Sequence, residues 1–119
     1  CIRDRLNKKT EKSMLNIFEA IDQTKEAQKV FLIHSMNSPD LNQYKMQILT
    51  SSEVNETLDY LQYILASNSK FSKRVSNMSS SIIQYNTDLM EKCDNSDIVK
   101  TVIKCNTHLL KCLDKLKEL

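Results

Sequence analysis

Apolar residues recur with helical spacing in the last quarter of the chain. From residue 98 onward they alternate steps of four and three, in the series Ile98, Val102, Cys105, Leu109, Cys112, Leu116 and Leu119. A second apolar stripe beside it consists of Val99, Ile103, Leu110 and Leu113. The first series predicts an α-helix, and the two adjacent stripes predict that this helix contacts two neighbours. Asn95, Ser96 and Asp97 supply an N-cap and a first-turn acid for it.

Three further segments show the same period. Residues 69 to 92 carry a stripe from Phe71 to Leu89, and we expect Asn68 or Ser69 to cap this helix. Residues 39 to 66 follow a start signal at residues 38 to 40, and the capping-box spacing at residues 50 to 53 leaves open whether they form one helix or two. The first segment, about residues 10 to 36, is the least regular. Its apolar positions are Met14, Ile17, Ile21, Val30 and Ile33, with a polar gap at residues 22 to 26.

These segments predict an all-α fold, an up-down antiparallel bundle of three to four helices. Residues 93 to 96 leave room for only a short connection between the last two helices, so these two helices should pack antiparallel. A length of 119 residues suits one domain. We therefore expect a single domain over residues 1 to 119, with an N-terminal helix in residues 1 to 38 and a three-helix core in residues 39 to 119.

Composition excludes several classes of function. The chain has no glycine and one proline, so glycine-rich phosphate loops and dinucleotide fingerprints are absent from the sequence. Its 17 basic and 15 acidic residues are interspersed, which disfavours nucleic-acid binding. No apolar stretch approaches the roughly 18 to 20 residues that span a bilayer. We expect no cofactor, no nucleic-acid partner and no membrane span.

The cysteines allow two interpretations. Cys105, His108 and Cys112 lie on one helical face, which is the pattern of a partial metal site or of a Cys–His nucleophile. Both cysteines also belong to the apolar seam, where a free thiol behaves as a small hydrophobe, and the other histidine, His34, is distant in sequence. We favour buried, reduced thiols, no metal and no enzymatic activity. Seven residues along a helix separate the two cysteines by about 10.5 Å, beyond the ~7 Å limit for a disulfide.

A candidate binding surface lies beside the seam of residues 58 to 65. Tyr60 and Ile64 form a neighbouring stripe that this seam does not require. In an antiparallel arrangement the stripe should face Ser76, Ser79 and Ile83 on the next helix, forming a shallow groove. The alternative is that the helix of residues 10 to 36 covers Tyr60 and Ile64 as ordinary core.

From residue 53 onward the chain resembles a known family. The shared features are Glu53-Val54-Asn55 followed by Leu58 and Leu61, then Met78, and finally Val102 to Asn106 with Leu109, Leu113, Lys115 and Leu119. Together they resemble the GAT domain of GGA-type sorting adaptors, although Thr107 and residues 79 to 81 depart from its pattern. The resemblance implies a non-catalytic adaptor in the cytoplasm, at the endosome or Golgi periphery, that binds ubiquitin and coat or tethering proteins.

Two other classes of protein share these features. One is a scaffold subunit whose N-terminal helix packs against a partner chain. The other is a secreted four-helix cytokine-like ligand, which the glycosylation triplets at residues 55 to 57 and 77 to 79 would suit. The reduced-thiol pattern favours a cytosolic protein over the secreted one. The sequence leaves the oligomeric state open.

Overall fold

The computed structural model shows α-helices joined by short connections. Helix α1 spans Ile2–Met36, α2 spans Leu41–Ser67, α3 spans Lys73–Lys92 and α4 spans Asp97–Lys117. The structure describes the backbone of residues 2–37, 41–93 and 96–119, and the side chains of residues 8–37, 45, 51–93 and 96–119. None of these residues belongs to a β-strand. The predicted all-α bundle is confirmed, with four helices in the described part of the chain.

The helices form a closed ring in chain order. Helix α1 packs against α2 and α4, and α3 packs against the same two helices. Because short connections join consecutive helices, each runs antiparallel to the next, as in an up-down bundle. The prediction that the last helix contacts two neighbours is confirmed, since α4 lies between α1 and α3.

The predicted cap of α4 is confirmed, whereas the predicted cap of α3 is wrong. The Ser96 hydroxyl accepts a hydrogen bond from the Val99 N–H, so Ser96 is the N-cap of α4, as predicted. The predicted cap of α3 at Asn68 or Ser69 is wrong, because Ser72 accepts the bond from the Val75 N–H. The start signal at residues 38 to 40 lies outside the described residues.

Helix α2 runs without interruption through the candidate break near residue 51. Ser51 is buried, and its hydroxyl is 2.5 Å from the Tyr85 hydroxyl of α3. The Ser51 side chain is therefore used in a contact with α3, inside a continuous α2. The structure selects the single long helix from the two arrangements that the sequence allows.

One hydrophobic cluster contains residues from all four helices. Its buried members are Met14, Ile17, Ala20, Ile21 and Phe31 of α1; Val54, Leu58, Leu61 and Leu65 of α2; Val75, Ile82, Tyr85 and Leu89 of α3; and Val99, Val102, Leu109, Cys112, Leu113 and Leu116 of α4. Leu109 is fully buried at the middle of α4. The two central helices of the sequence and the two terminal ones thus share a single core.

The buried face of α1 differs from the predicted stripe. Val30 and Ile33 are exposed, whereas Thr24, Gln28 and Ser35 are buried. Counted from Ile21, the three buried polar residues follow in steps of three, four and seven. This spacing keeps them on the same face as Ile17 and Ile21 in a helix with 3.6 residues per turn. Helical register therefore places polar side chains in the core and leaves two apolar ones outside it.

Candidate protein-binding surface

The structure leaves most of the five predicted binding residues accessible. Tyr60 is about half exposed on α2, and Ile64 is half-buried against the core. On α3, Ile83 and Ser76 are exposed, and the half-buried Ser79 donates a hydrogen bond to the Val75 carbonyl. Because Tyr60 is exposed, the alternative interpretation, in which α1 covers this residue as ordinary core, is wrong for Tyr60.

These five residues do not form one groove. On α3, Tyr85 contacts α2 through Ser51, whereas Asn86 contacts α4 through Asn106. Ser79 and Ile83 precede Asn86 by seven and three residues, so they share its side of the helix. Ser76 lies one turn before Ser79 on the same side. The three α3 residues therefore line the boundary with α4, and Tyr60 and Ile64 lie apart from them on α2.

The boundary between α3 and α4 carries an exposed apolar surface, here called the α3–α4 face. It consists of Ile83 and Met90 on α3 and Ile103 and Leu110 on α4. Ile83 is 53% exposed and Met90 is 60% exposed, while Ile103 and Leu110 are half-buried against the core. Because the helices are antiparallel and Asn86 bonds to Asn106, Ile83 lies at about the level of Leu110, and Met90 at about the level of Ile103.

A hydrogen-bonded pair of asparagines lies beneath this face. The Asn106 Nδ2 donates to the Asn86 Oδ1 at 2.7 Å, and the Asn86 Nδ2 donates to the Thr107 hydroxyl at 3.4 Å. The Thr107 hydroxyl in turn donates to the Ile103 carbonyl. Buried amides that bond to each other favour one alignment of the two helices, because a shift of either one breaks both bonds. The sequence signal for this pair is an asparagine at position 106, inside an otherwise apolar buried stripe.

Threonines lie between the apolar residues of the α3–α4 face along each helix. Thr87 lies between Ile83 and Met90, and Thr107 lies between Ile103 and Leu110. The serine run beside the face is compatible with a helix because each hydroxyl donates to the carbonyl four residues earlier; the donors are Ser79, Ser80 and Ser81. The surface therefore combines apolar side chains with hydroxyl groups, and the exposed charged residues Glu91, Lys104 and Lys111 directly follow three of its apolar residues in sequence.

In the Cys–His cluster, Cys112 packs in the hydrophobic core, whereas His108 is exposed beside it. The His108 Nε2 is 3.8 Å from the Cys112 sulfur, and burial raises the pKa of both the Cys105 and Cys112 thiols. Cys105 and Cys112 are free thiols, which confirms the prediction that these two cysteines do not pair with each other. Cys112 is buried and Cys105 half-buried. Across the described residues, no three His, Cys, Asp or Glu side chains are grouped closely enough to hold a metal ion.

Comparison of the chain with protein-family models, curated proteins and solved structures found no match. The GAT-domain likeness therefore stays a resemblance in residues 53 to 119. Among the described residues, no helix combines the length and apolar character needed to cross a membrane.

Proposed function

We propose that this chain is a non-enzymatic protein-interaction module and that its partner binds the α3–α4 face. The observation that carries the proposal is the pair of exposed apolar side chains, Ile83 and Met90, beside half-buried Ile103 and Leu110. An apolar surface rimmed by polar groups is the usual composition of a protein-binding site.

The expected affinity is modest. Complete burial of an aliphatic side chain contributes roughly 1.5 to 3 kcal/mol. Ile83 and Met90 are already about half covered in the free protein, so each contributes roughly half of that amount when a partner buries the remainder. Such a surface suits a weak, reversible interface.

The thiol chemistry supports a non-enzymatic role. A cysteine nucleophile requires a lowered pKa, because the thiolate is the reactive form. Here burial raises the pKa of the Cys105 and Cys112 thiols, so both are neutral near pH 7. The His108–Cys112 contact therefore favours packing over catalysis.

For the partner, we propose ubiquitin and a role in vesicle sorting, on the strength of the resemblance in residues 53 to 119. The test is an NMR titration of the isotope-labelled protein with ubiquitin. Shifts should concentrate on Ile83, Met90, Ile103 and Leu110. A titration that moves no resonance on α3 or α4 would remove the ubiquitin-adaptor proposal.

Two variants at isoleucines of matched exposure test whether binding depends on the α3–α4 face or on any exposed apolar side chain. Ile83→Asp should abolish binding, whereas Ile33→Asp, at an equally exposed isoleucine of α1, should preserve it. Tyr60→Ala tests the α2 stripe separately and should leave the melting temperature nearly unchanged, because Tyr60 is half exposed. Loss of binding in Tyr60→Ala but not in Ile83→Asp would move the site to α2.

The length of α1 favours a second candidate function, that of a scaffold subunit. Helix α1 has 35 residues and α4 has 21, so at 1.5 Å per residue α1 is roughly 20 Å longer. Ser13 and Lys115 line one pocket, which places the first turns of α1 past the C-terminal end of α4. Sedimentation velocity over a concentration series should then show self-association that deletion of residues 1 to 12 removes. A monomer at every concentration contradicts self-assembly through this segment.

A further inference from the structure

A second apolar groove lies between α1 and α4, on the side of α4 away from the α3–α4 face. Ala27 and Val30 line it from α1, and Ile98 and Cys105 line it from α4. The groove encloses about 460 Å³. None of these residues belongs to the surface proposed above, so the two sites can be tested separately.

The floor of this α1–α4 groove is fixed by the core. Ala27 and Ile98 are half-buried and pack against the hydrophobic cluster, whereas Val30 is 46% exposed at the groove edge. The buried Thr24 hydroxyl bonds to the Ala20 carbonyl at 2.7 Å and is 3.3 Å from the Cys105 carbonyl of α4. This contact holds the two helices together beside the groove, so the groove exists before any partner arrives.

The two charged side chains that line the groove are both acidic. Glu26 and Asp97 line it, both are exposed, and no Lys, Arg or His side chain of the described residues lines it with them. Neither carboxylate is paired with a cation in the described part of the chain. Asp97 lies in the first turn of α4, where an acid also complements the helix dipole. Glu26 lies well inside α1, where the dipole gives no such reason for an acid.

We infer that the α1–α4 groove binds a helical segment of a partner protein that presents an aliphatic side chain next to a lysine or arginine. The aliphatic side chain enters between Val30 and Ile98, and the cation lies against Glu26 and Asp97. An open groove between two helices suits a side chain offered by another helix, since a small molecule requires a more enclosed cavity. The two carboxylates select a basic segment over an acidic one.

The test uses a fluorescein-labelled amphipathic helical peptide of leucine, alanine and lysine, and a second peptide in which glutamate replaces each lysine. Fluorescence anisotropy should show that the lysine peptide binds at least about tenfold more tightly. Val30→Ser should weaken its binding by about tenfold. The matched variant Ile33→Ser should leave binding unchanged, because Ile33 is exposed on the same helix and does not line the groove. Melting temperatures of both variants verify that the bundle is intact.

The Cys105 thiol provides an independent readout because it lines the groove. Saturating lysine peptide should slow alkylation of Cys105, measured by peptide mass spectrometry, and leave the rate at Cys93 unchanged. The inference is overturned by equal weakening in Val30→Ser and Ile33→Ser, by equal affinity for the two peptides, by undetectable binding of both, or by unprotected Cys105. A different result, unchanged ubiquitin binding by Ile83→Asp, would contradict the proposal for the α3–α4 face. The two proposals can therefore be refuted separately.

Discussion

Gln28 is the buried residue whose replacement tests the core most directly. Its side chain is 0% exposed, and within the described part of the chain neither its Nε2 nor its Oε1 has a hydrogen-bond partner. An unpaired buried polar group costs roughly 1 to 3 kcal/mol. Gln28→Met removes both polar atoms while keeping an unbranched side chain of similar length. The variant should therefore be more stable than the natural protein by about 1 to 3 kcal/mol.

The assay is urea unfolding followed by circular dichroism, analysed as a two-state transition. The midpoint should rise and the slope stay constant, because the area exposed on unfolding hardly changes. Asn86→Leu is the contrasting control, since Asn86 is also buried but both atoms of its amide are hydrogen-bonded, the Oδ1 to the Asn106 Nδ2 and the Nδ2 to the Thr107 hydroxyl. Its replacement leaves the Asn106 Nδ2 without that acceptor and should destabilise the protein by roughly 1 to 3 kcal/mol. A destabilised Gln28→Met variant, or changes of the same sign in both variants, would refute the reasoning.

Three further predictions concern the core. Leu109→Ala should cost about 2 to 5 kcal/mol in the free energy of unfolding, because Leu109 is fully buried in the middle of α4; a loss below about 1 kcal/mol contradicts its central position. Burial raises the pKa of Tyr85 to about 12, so the folded state favours the protonated phenol. This preference stabilises the folded protein in full below pH 10, the ordinary pKa of tyrosine, and is lost as the pH rises through 12. The natural protein should lose up to roughly 3 kcal/mol more stability than Tyr85→Phe as pH rises from about 10 to 12, and parallel pH profiles would refute this. In native protein, alkylation of the buried Cys112 should be far slower than that of the half-buried Cys93, and comparable rates would contradict the packing of α4.

The sequence determines the α3–α4 hairpin almost completely. Each of these helices has an unbroken apolar period, and the Ser96 cap and the short connection agree with it. Local propensity, periodicity and loop length then favour the same antiparallel pair. The cap of α3 is the exception. Residues 68, 69 and 72 all carry side chains that can cap a helix, and only the position of α3 against α2 and α4 selects Ser72.

Tertiary structure decided which face of α1 is buried, and it also decided how the binding residues are grouped. Gln28 and Ser35 are buried because they share a helical face with Ile17 and Ile21, and the cost of their unpaired atoms is smaller than the gain from burying that face. Ser76, Ser79 and Ile83 lie at α4 because the Asn86 and Tyr85 contacts orient α3 about its axis. Periodicity identifies the residues that share one side of a helix. It does not identify the neighbour on that side, because the choice depends on how all four helices close into a ring.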